Sequence, residues 1–221
     1  MRIGLTVLAL LALTSCTGSS SRRPQSRPAM ATDAPRTTEW QLDPADTSGT
    51  ISSQSSEEAL RLRLGKSEVD SARIELGEGE TTPGTVIFPH DSLRRAEIVW
   101  QDTVGRSHPA RVILRGSASR WRVGSGISLN TSLAELERLN GRPFTLAGFG
   151  WDYAGVVTSW NGGALDTTLA GIKLYLDPGP AQYESAPYSQ VLGDRDYSSA
   201  LPAMQQLSPR VRTIFIDYES R

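Results

Sequence analysis

Cysteine and histidine are nearly absent from this chain of 221 residues. Cys16 is the only cysteine, and His90 and His108 are the only two histidines. A folded part without cysteine forms no disulfide and carries no thiolate chemistry. Two isolated histidines without a His-x-x-x-His spacing do not form a recognisable zinc site. We therefore expect neither a metal nor a cofactor.

Motifs of nucleophilic catalysis and phosphate binding are also missing. Gly124-Ser125-Gly126 lacks the Gly-x-Ser-x-Gly spacing of a nucleophile elbow. The pairs Gly77-x-Gly79 and Gly148-x-Gly150 lack the Rossmann spacing and do not open a predicted helix. Such glycines are typical of turns or bulges. The sequence therefore offers no catalytic residues, and we expect a protein that is not an enzyme.

Excess charge of either sign is missing as well. The chain has 23 Lys and Arg against 24 Asp and Glu, a net charge of −1. A protein that binds nucleic acid needs a concentrated basic surface. We therefore expect no nucleic acid among its partners.

Residues 1–15 have the form of a bacterial signal peptide. Met1-Arg2 is a short basic start, and the apolar run Ile3 to Leu13 is too short to be a stable membrane anchor. It ends in Leu13-Thr14-Ser15-Cys16, which resembles the lipobox of bacterial lipoproteins. The resemblance implies that Cys16 becomes the acylated first residue of the mature chain.

A lipid on Cys16 would make the membrane a partner of this protein and place it in the cell envelope. Thr17, rather than Asp, follows the cysteine, which by the sorting pattern of such lipoproteins favours the outer membrane, facing the periplasm. The alternative is an ordinary signal peptide with a chance cysteine.

Residues 16–53 are predicted to be a disordered tether. The stretch is rich in Ser, Arg, Pro and Thr and has no apolar period, so it cannot bury enough surface to offset the entropy of ordering. The remaining residues, 54–221, are predicted to form the folded region.

Two stretches of this region, about 55–101 and 131–177, share an order of features. Each begins with a capping-box spacing, Ser55-x-x-Glu58 or Ser132-x-x-Glu135, before a short leucine-rich helix. Each helix ends at a glycine and is followed by three predicted strands. We predict an internal duplication, although any two α+β segments look somewhat alike.

The predicted fold class is therefore α+β. Tandem units of a short helix and an antiparallel β-meander form one sheet-based domain, and a C-terminal helix and strand complete it. The final strand, Val211 to Tyr218, alternates and is expected to pair with the strand Ala110 to Leu114 or to close an edge.

The pattern Leu-x-x-Leu-x-x-Leu-Asn-Gly-x-Pro at residues 133–143 carries a resemblance to known envelope proteins. It resembles the helix-plus-meander units of BamE-like outer-membrane assembly lipoproteins and of β-lactamase inhibitory proteins. The chain also looks like a set of uncharacterised bacterial lipoproteins with an Asn-Gly-x-Pro-Phe and Gly-Phe-Gly-Trp-Asp-Tyr core. The first likeness concerns the fold and implies binding rather than catalysis; the second implies no known activity.

The best candidate binding site is an aromatic cluster around Asp152. Strand alternation would place Phe149, Trp151 and Tyr153 on one face and Asp152 on the other, with Trp160 nearby. Tyr and Trp are preferred anchors in protein interfaces. The competing interpretation is that these aromatic rings form the core of a small domain.

We expect a membrane-anchored envelope lipoprotein, non-enzymatic, that binds a protein or envelope component through a sheet face. The alternative is an envelope hydrolase or carbohydrate-active enzyme that pairs Asp152 with Glu78 or Glu80, because glycoside hydrolysis uses two carboxyl groups. A third hypothesis is a structural role in assembly, like that of the BamE-like lipoproteins.

Overall fold

The computed structural model describes residues 39–218, and residues 1–38 and 219–221 lie outside the described part. The predicted signal peptide, Cys16 and most of the predicted tether therefore fall outside it. The described residues form five α-helices and nine strands, and the strands pair antiparallel. The predicted α+β class is confirmed.

The helices and strands have the following bounds. The helices are α1 Glu57–Leu64, α2 Leu133–Asn140, α3 Leu165–Thr168, α4 Ala186–Ser189 and α5 Pro202–Leu207. The strands are β1 Val69–Gly77, β2 Glu80–Ile87, β3 Ala96–Asp102, β4 Ser107–Arg115, β5 Thr145–Ala147, β6 Val157–Ser159, β7 Ile172–Asp177, β8 Asp196–Ser198 and β9 Arg210–Asp217.

The strands form two sheets. The larger sheet has six strands in the order β1-β2-β3-β4-β9-β7, and the smaller has three in the order β6-β5-β8. Strand β9 pairs with β4, as predicted, and also with β7, so the C-terminal strand lies inside the larger sheet rather than at its edge. One face of this sheet packs on the main core together with α1, α2 and α5.

The two predicted repeat units differ in strand pairing. After α1, strands β1, β2 and β3 form the expected antiparallel meander. After α2, strands β5 and β6 belong to the smaller sheet and β7 to the larger, so this stretch does not form a meander. Strand β7 joins β9 because its alternating apolar residues Ile172 and Leu174 can then face the main core. The duplication itself stays a prediction.

Residues 39–53 belong to the predicted tether, but the structure places them against the folded region. Leu42 and Ile51 are fully buried, and the Leu42 amide donates to the carbonyl of Arg122 at 2.8 Å. The Trp40 ring meets the Trp121 ring edge-on, with centroids 4.9 Å apart. These few apolar residues fix the stretch to the core although its average composition is polar.

The helices of both predicted repeat units form, but the N-cap of the first lies one residue later than predicted. Ser132 caps α2 as predicted, its Oγ accepting from the Glu135 amide at 3.2 Å. In α1 the cap is Ser56, which accepts from Ala59 at 3.2 Å, whereas Ser55 is buried and accepts from the Ser52 amide at 3.0 Å. Gly65 and Gly141 follow the two helices as expected.

Asn140 joins the end of α2 to the segment before β7. Its amide is 2% exposed and donates to the carbonyls of Arg142 at 3.0 Å and Trp160 at 2.9 Å. Its Oδ1 accepts from the Leu165 amide at 3.2 Å. Asn140 is thus the last residue of α2, and its buried side chain has hydrogen-bond partners for both its amide nitrogen and its oxygen.

Glu57 joins α1 to the larger sheet through a buried carboxylate. It accepts from Thr85 Oγ1 at 2.5 Å, from Ser71 Oγ at 3.1 Å and from Arg106 Nη1 at 2.9 Å. Arg61, one turn later in α1, pairs with it at 3.1 Å. A buried charge is tolerated only when it is paired and hydrogen-bonded, and these donors meet that condition.

The environment of Glu57 favours its charged form. Burial by itself raises the pKa of Glu57, but hydrogen bonds from Thr85, Arg106 and Ser71 and the charge of Arg106 outweigh burial and hold the pKa below its ordinary value. A carboxyl group with a lowered pKa in the folded state stabilises the fold above its unfolded pKa. That stability is lost as the pH falls through the folded pKa.

We predict that Glu57→Gln lowers the free energy of unfolding by about 2 kcal/mol at neutral pH, because hydrogen bonds to a charged group are lost. The difference in unfolding free energy between the variant and wild type should narrow below about pH 4.3, the ordinary pKa of glutamate. Urea unfolding between neutral pH and about pH 3 measures both effects. Glu58→Gln, at the exposed neighbouring position, is the control and should change little. A gap that stays constant with pH would contradict this role of the charge.

Candidate functional site: a groove on the larger sheet

The larger sheet has a second face that carries its own small apolar cluster. Ile74, Val86, Ile113 and Phe215 form this cluster, separate from the main core. In the register, Ile113 lies opposite Phe215, whereas the neighbouring pair of Val112 and Ile216 belongs to the main core. Because successive strand residues face opposite sides of a sheet, the two clusters lie on its two faces.

This second face is concave. The edge strands β1 and β7 would lie about 24 Å apart in a flat six-stranded sheet, since neighbouring strands are spaced about 4.8 Å. Yet Leu76 of β1 and Tyr175 of β7 line one cavity of about 450 Å³. Arg115 of β4 also reaches the backbone of β1, donating to the Glu75 carbonyl at 2.6 Å. We name this cavity the sheet groove.

The floor of the sheet groove is built from cations stacked on aromatic rings. The guanidinium groups of Arg111 and Arg115 lie 4.8 and 5.6 Å from the centre of the Phe215 ring. The Tyr175 ring packs against Phe215 at a centroid distance of 5.0 Å. Cation–π contacts of this kind hold the guanidinium groups in place without hiding their donors.

Each floor arginine also has a carboxylate partner. Arg111 Nε donates to Asp217 Oδ1 at 2.5 Å, and Arg115 Nε donates to Glu97 Oε2 at 3.3 Å. Asp217 neutralises Arg111, whereas Arg115 shares Glu97 with another arginine. The Phe215 ring is buried beneath the two floor arginines, and the Tyr175 ring is half-buried.

The rim of the sheet groove is acidic. Glu78 and Glu80 lie at the turn between β1 and β2, and Asp152 and Tyr153 lie in the loop of residues 150–155. The Glu78 carboxylate, as a hydrogen-bond acceptor and as a charge, raises the pKa of Tyr153, with smaller contributions from burial, Tyr175 and Asp152. The turn and the loop therefore meet at the mouth of the groove.

Two of the predicted binding residues are buried in the core. Phe149 is 2% exposed and stacks on Tyr188 with centroids 5.7 Å apart. Trp160 is 8% exposed and packs against Phe144 at 5.0 Å. The prediction that they face a ligand is wrong, and the competing core interpretation is correct for both.

The remaining predicted residues lie in a turn rather than a strand. Trp151 is half-buried, and its indole nitrogen donates to the Gly148 carbonyl at 2.9 Å. Asp152 is exposed and Tyr153 is 49% exposed. The predicted alternation of Phe149, Trp151 and Tyr153 on one face is therefore wrong, since a turn has no two-residue period.

Close backbone packing at both ends of this loop causes the turn. A Cβ on Gly148 would lie 2.4 Å from the Gly193 carbonyl oxygen, and a Cβ on Gly155 would lie 2.0 Å from the Leu176 carbonyl oxygen. Real side chains do not approach a backbone oxygen so closely. The chain therefore lies directly on β7 at Gly155, and residues 150–154 must loop outwards.

Sequence reasoning missed the basic and aromatic residues of the floor. Arg111, Ile113 and Arg115 stand at alternate positions of β4, as do Lys173 and Tyr175 of β7. A two-residue period applied to these strands would have placed each set on one face. The local pattern does not show that β9 lies between β4 and β7 and so brings both strands into one sheet.

The hydrolase hypothesis pairs Asp152 with Glu78 or Glu80, and all three of these residues line the same groove. Among residues 39–218, no group of three or more His, Cys, Asp or Glu side chains could hold a metal ion. No helix in that same range is long and apolar enough to cross a membrane.

Comparison with known proteins adds no further constraint: no family model, curated protein or solved structure matches the chain.

We predict that Glu78→Gln lowers the pKa of Tyr153, because the variant removes the negative charge that disfavours the phenolate. NMR titration of ¹³C-labelled tyrosine measures this pKa, and Tyr153→Phe identifies its signal. The matched control is Glu58→Gln, on α1 away from the groove. An unchanged Tyr153 titration in Glu78→Gln would show that the rim of the groove is not assembled as described.

Proposed function

We propose that this protein is a lipid-anchored envelope protein that binds a partner protein or another envelope component in the sheet groove. The concave face carries the support for this proposal. It combines two arginines stacked on the buried Phe215 ring and the half-buried Tyr175 ring with an exposed tyrosine at its rim. Tyr, Phe and Arg are the residues enriched in interfaces between proteins.

The proposed binding surface is the concave face of the larger sheet, whereas the sequence predicts the aromatic cluster around Asp152. Only Asp152 and Tyr153 of the predicted residues line the groove. They remain in the proposed site together with Arg111, Arg115 and Tyr175.

The anchor is the second part of the proposal. It is supported by the sequence alone, by the apolar run before Leu13 and the lipobox-like ending at Cys16. The outer membrane, facing the periplasm, is the proposed location. An assembly role of the BamE-like kind would be one form of this binding function.

Hydrolysis of an envelope polysaccharide is the second candidate function. It is favoured by one observation, the position of Asp152, Glu78 and Glu80 at the rim of a single groove. A general acid and a second carboxylate on either side of a glycosidic bond are what such a reaction needs.

For the anchor, we predict that Cys16→Ser abolishes incorporation of a labelled fatty acid and releases the protein from the membrane fraction. The reason is that Cys16 carries the only thiol of the chain. Ser15→Ala keeps a small residue before the cysteine and is the matched control, which should stay labelled. Labelling that persists in Cys16→Ser would rule out this anchor.

For the groove, we predict that a photo-crosslinking residue at Thr213, on the groove floor, captures a partner in intact cells. The same residue at Glu58 should capture far less. Equal capture at both positions would contradict the binding proposal. Release of sugar fragments from envelope polysaccharide that is lost in Asp152→Asn would instead support the hydrolase.

A further inference from the structure

The unpaired charge of the sheet groove is acidic. Within residues 39–218, no ion pair involves the rim carboxylates Glu78, Glu80 and Asp152. The two floor arginines already have carboxylate partners. Among the described groove-lining cations, this leaves Lys173 without such a partner, against three free carboxylates. Because Glu97 is shared between Arg115 and Arg95, one arginine charge at the floor stays uncompensated, and the groove has one negative charge in excess, which lies at its mouth.

An aromatic ring stands beside these carboxylates. Tyr153 is 49% exposed, lines the groove, and neighbours both Glu78 and Asp152. A ring face attracts a cation, and a carboxylate binds a guanidinium or ammonium group through charge-assisted hydrogen bonds. Together they form a site that is complementary to a cationic side chain.

The floor adds an apolar contact next to this cation site. Tyr175 presents a half-buried ring that packs against the buried Phe215 ring of the neighbouring strand. The whole groove, at about 450 Å³, lies within the range of sites for small ligands, about 300–1,000 Å³. That space suits a few side chains of an extended segment better than a broad protein surface.

We propose that the sheet groove binds a short basic segment of a partner protein. An arginine or lysine side chain would lie between the rim carboxylates and the Tyr153 ring, and a neighbouring apolar side chain would lie on the aromatic floor. This inference rests on the proposed binding function and names the chemistry of the partner.

The test uses three fluorescent probe peptides and the whole chain. The probes are acetyl-Gly-Arg-Phe-Arg-Gly-amide, the same peptide with citrulline for arginine, and the same peptide with glutamate for arginine. Fluorescence anisotropy at about 50 mM salt measures their affinities, and about 300 mM salt should weaken binding of the basic probe because screening increases. The basic probe should bind at least about tenfold more tightly than the neutral one, the effect of one charge-assisted contact.

The double variant Glu78→Gln, Asp152→Asn should lower the affinity for the basic probe at least about tenfold. The matched control Glu58→Gln, Asp166→Asn removes two exposed carboxylates that do not line the groove, and should leave the affinity unchanged. Thermal melting checks that both variants fold. Equal affinity for the basic and glutamate probes, or unchanged binding by the double variant, would overturn the proposal.

A further variant tests whether the partner is the chain itself. Residues 22–27 read Arg-Arg-Pro-Gln-Ser-Arg, a basic segment that could compete for the same groove. Replacing Arg22, Arg23 and Arg27 with Gln should leave the affinity for the probe unchanged. A tighter affinity would show that the chain's own segment occupies the groove and would overturn the proposal of a separate partner protein. If Thr213 captures a protein but the basic probe does not bind, only the ligand class fails and the binding function stands.

Discussion

The buried carboxylate of Glu57 is the interaction on which the architecture of the larger sheet depends. It lies in the first turn of α1, yet its donors come from β1, β2 and the turn between β3 and β4. The Thr85 hydroxyl that binds it also accepts from the Trp100 indole at 2.8 Å. One charge thus joins a helix to three strands and to the turn between β3 and β4, and a buried charge that lost any of these donors would be costly.

The Glu57 network lies on one face of the larger sheet, and the sheet groove lies on the other. The core face carries the helices and the Glu57 network, while the concave face carries only a small apolar cluster and the charged groove. Because each strand alternates between the faces, different residues of the same strands pack in the core and line the groove. Val112 and Leu114 pack in the core, whereas Arg111 and Arg115 line the groove.

Local patterns in the sequence were sufficient for the first meander and for the α2 cap. Strands β1 to β4 and the Ser132 cap follow from alternation and capping chemistry, which act over a few residues. The groove could not be predicted in the same way, because it needs β9 to bring β4 beside β7 across about a hundred residues. The loop at Trp151 could not be predicted because aromatic residues favour a strand locally, whereas backbone contacts at Gly148 and Gly155 decide its course.

Gly148 and Gly155 fix the two ends of this loop and thereby decide which of its residues can be substituted. They fix where the backbone enters and leaves, so the exposed residues Asp152 and Tyr153 can vary in charge and size without disturbing the sheets beneath, whereas Ala154 packs against the core. The opposite part of the rim, Glu78 and Glu80, lies at a hairpin turn that is equally free of core contacts. The rim of the groove is thus confined to two short exposed segments, and substitutions there would change the charge at its mouth while the folding scaffold stays the same.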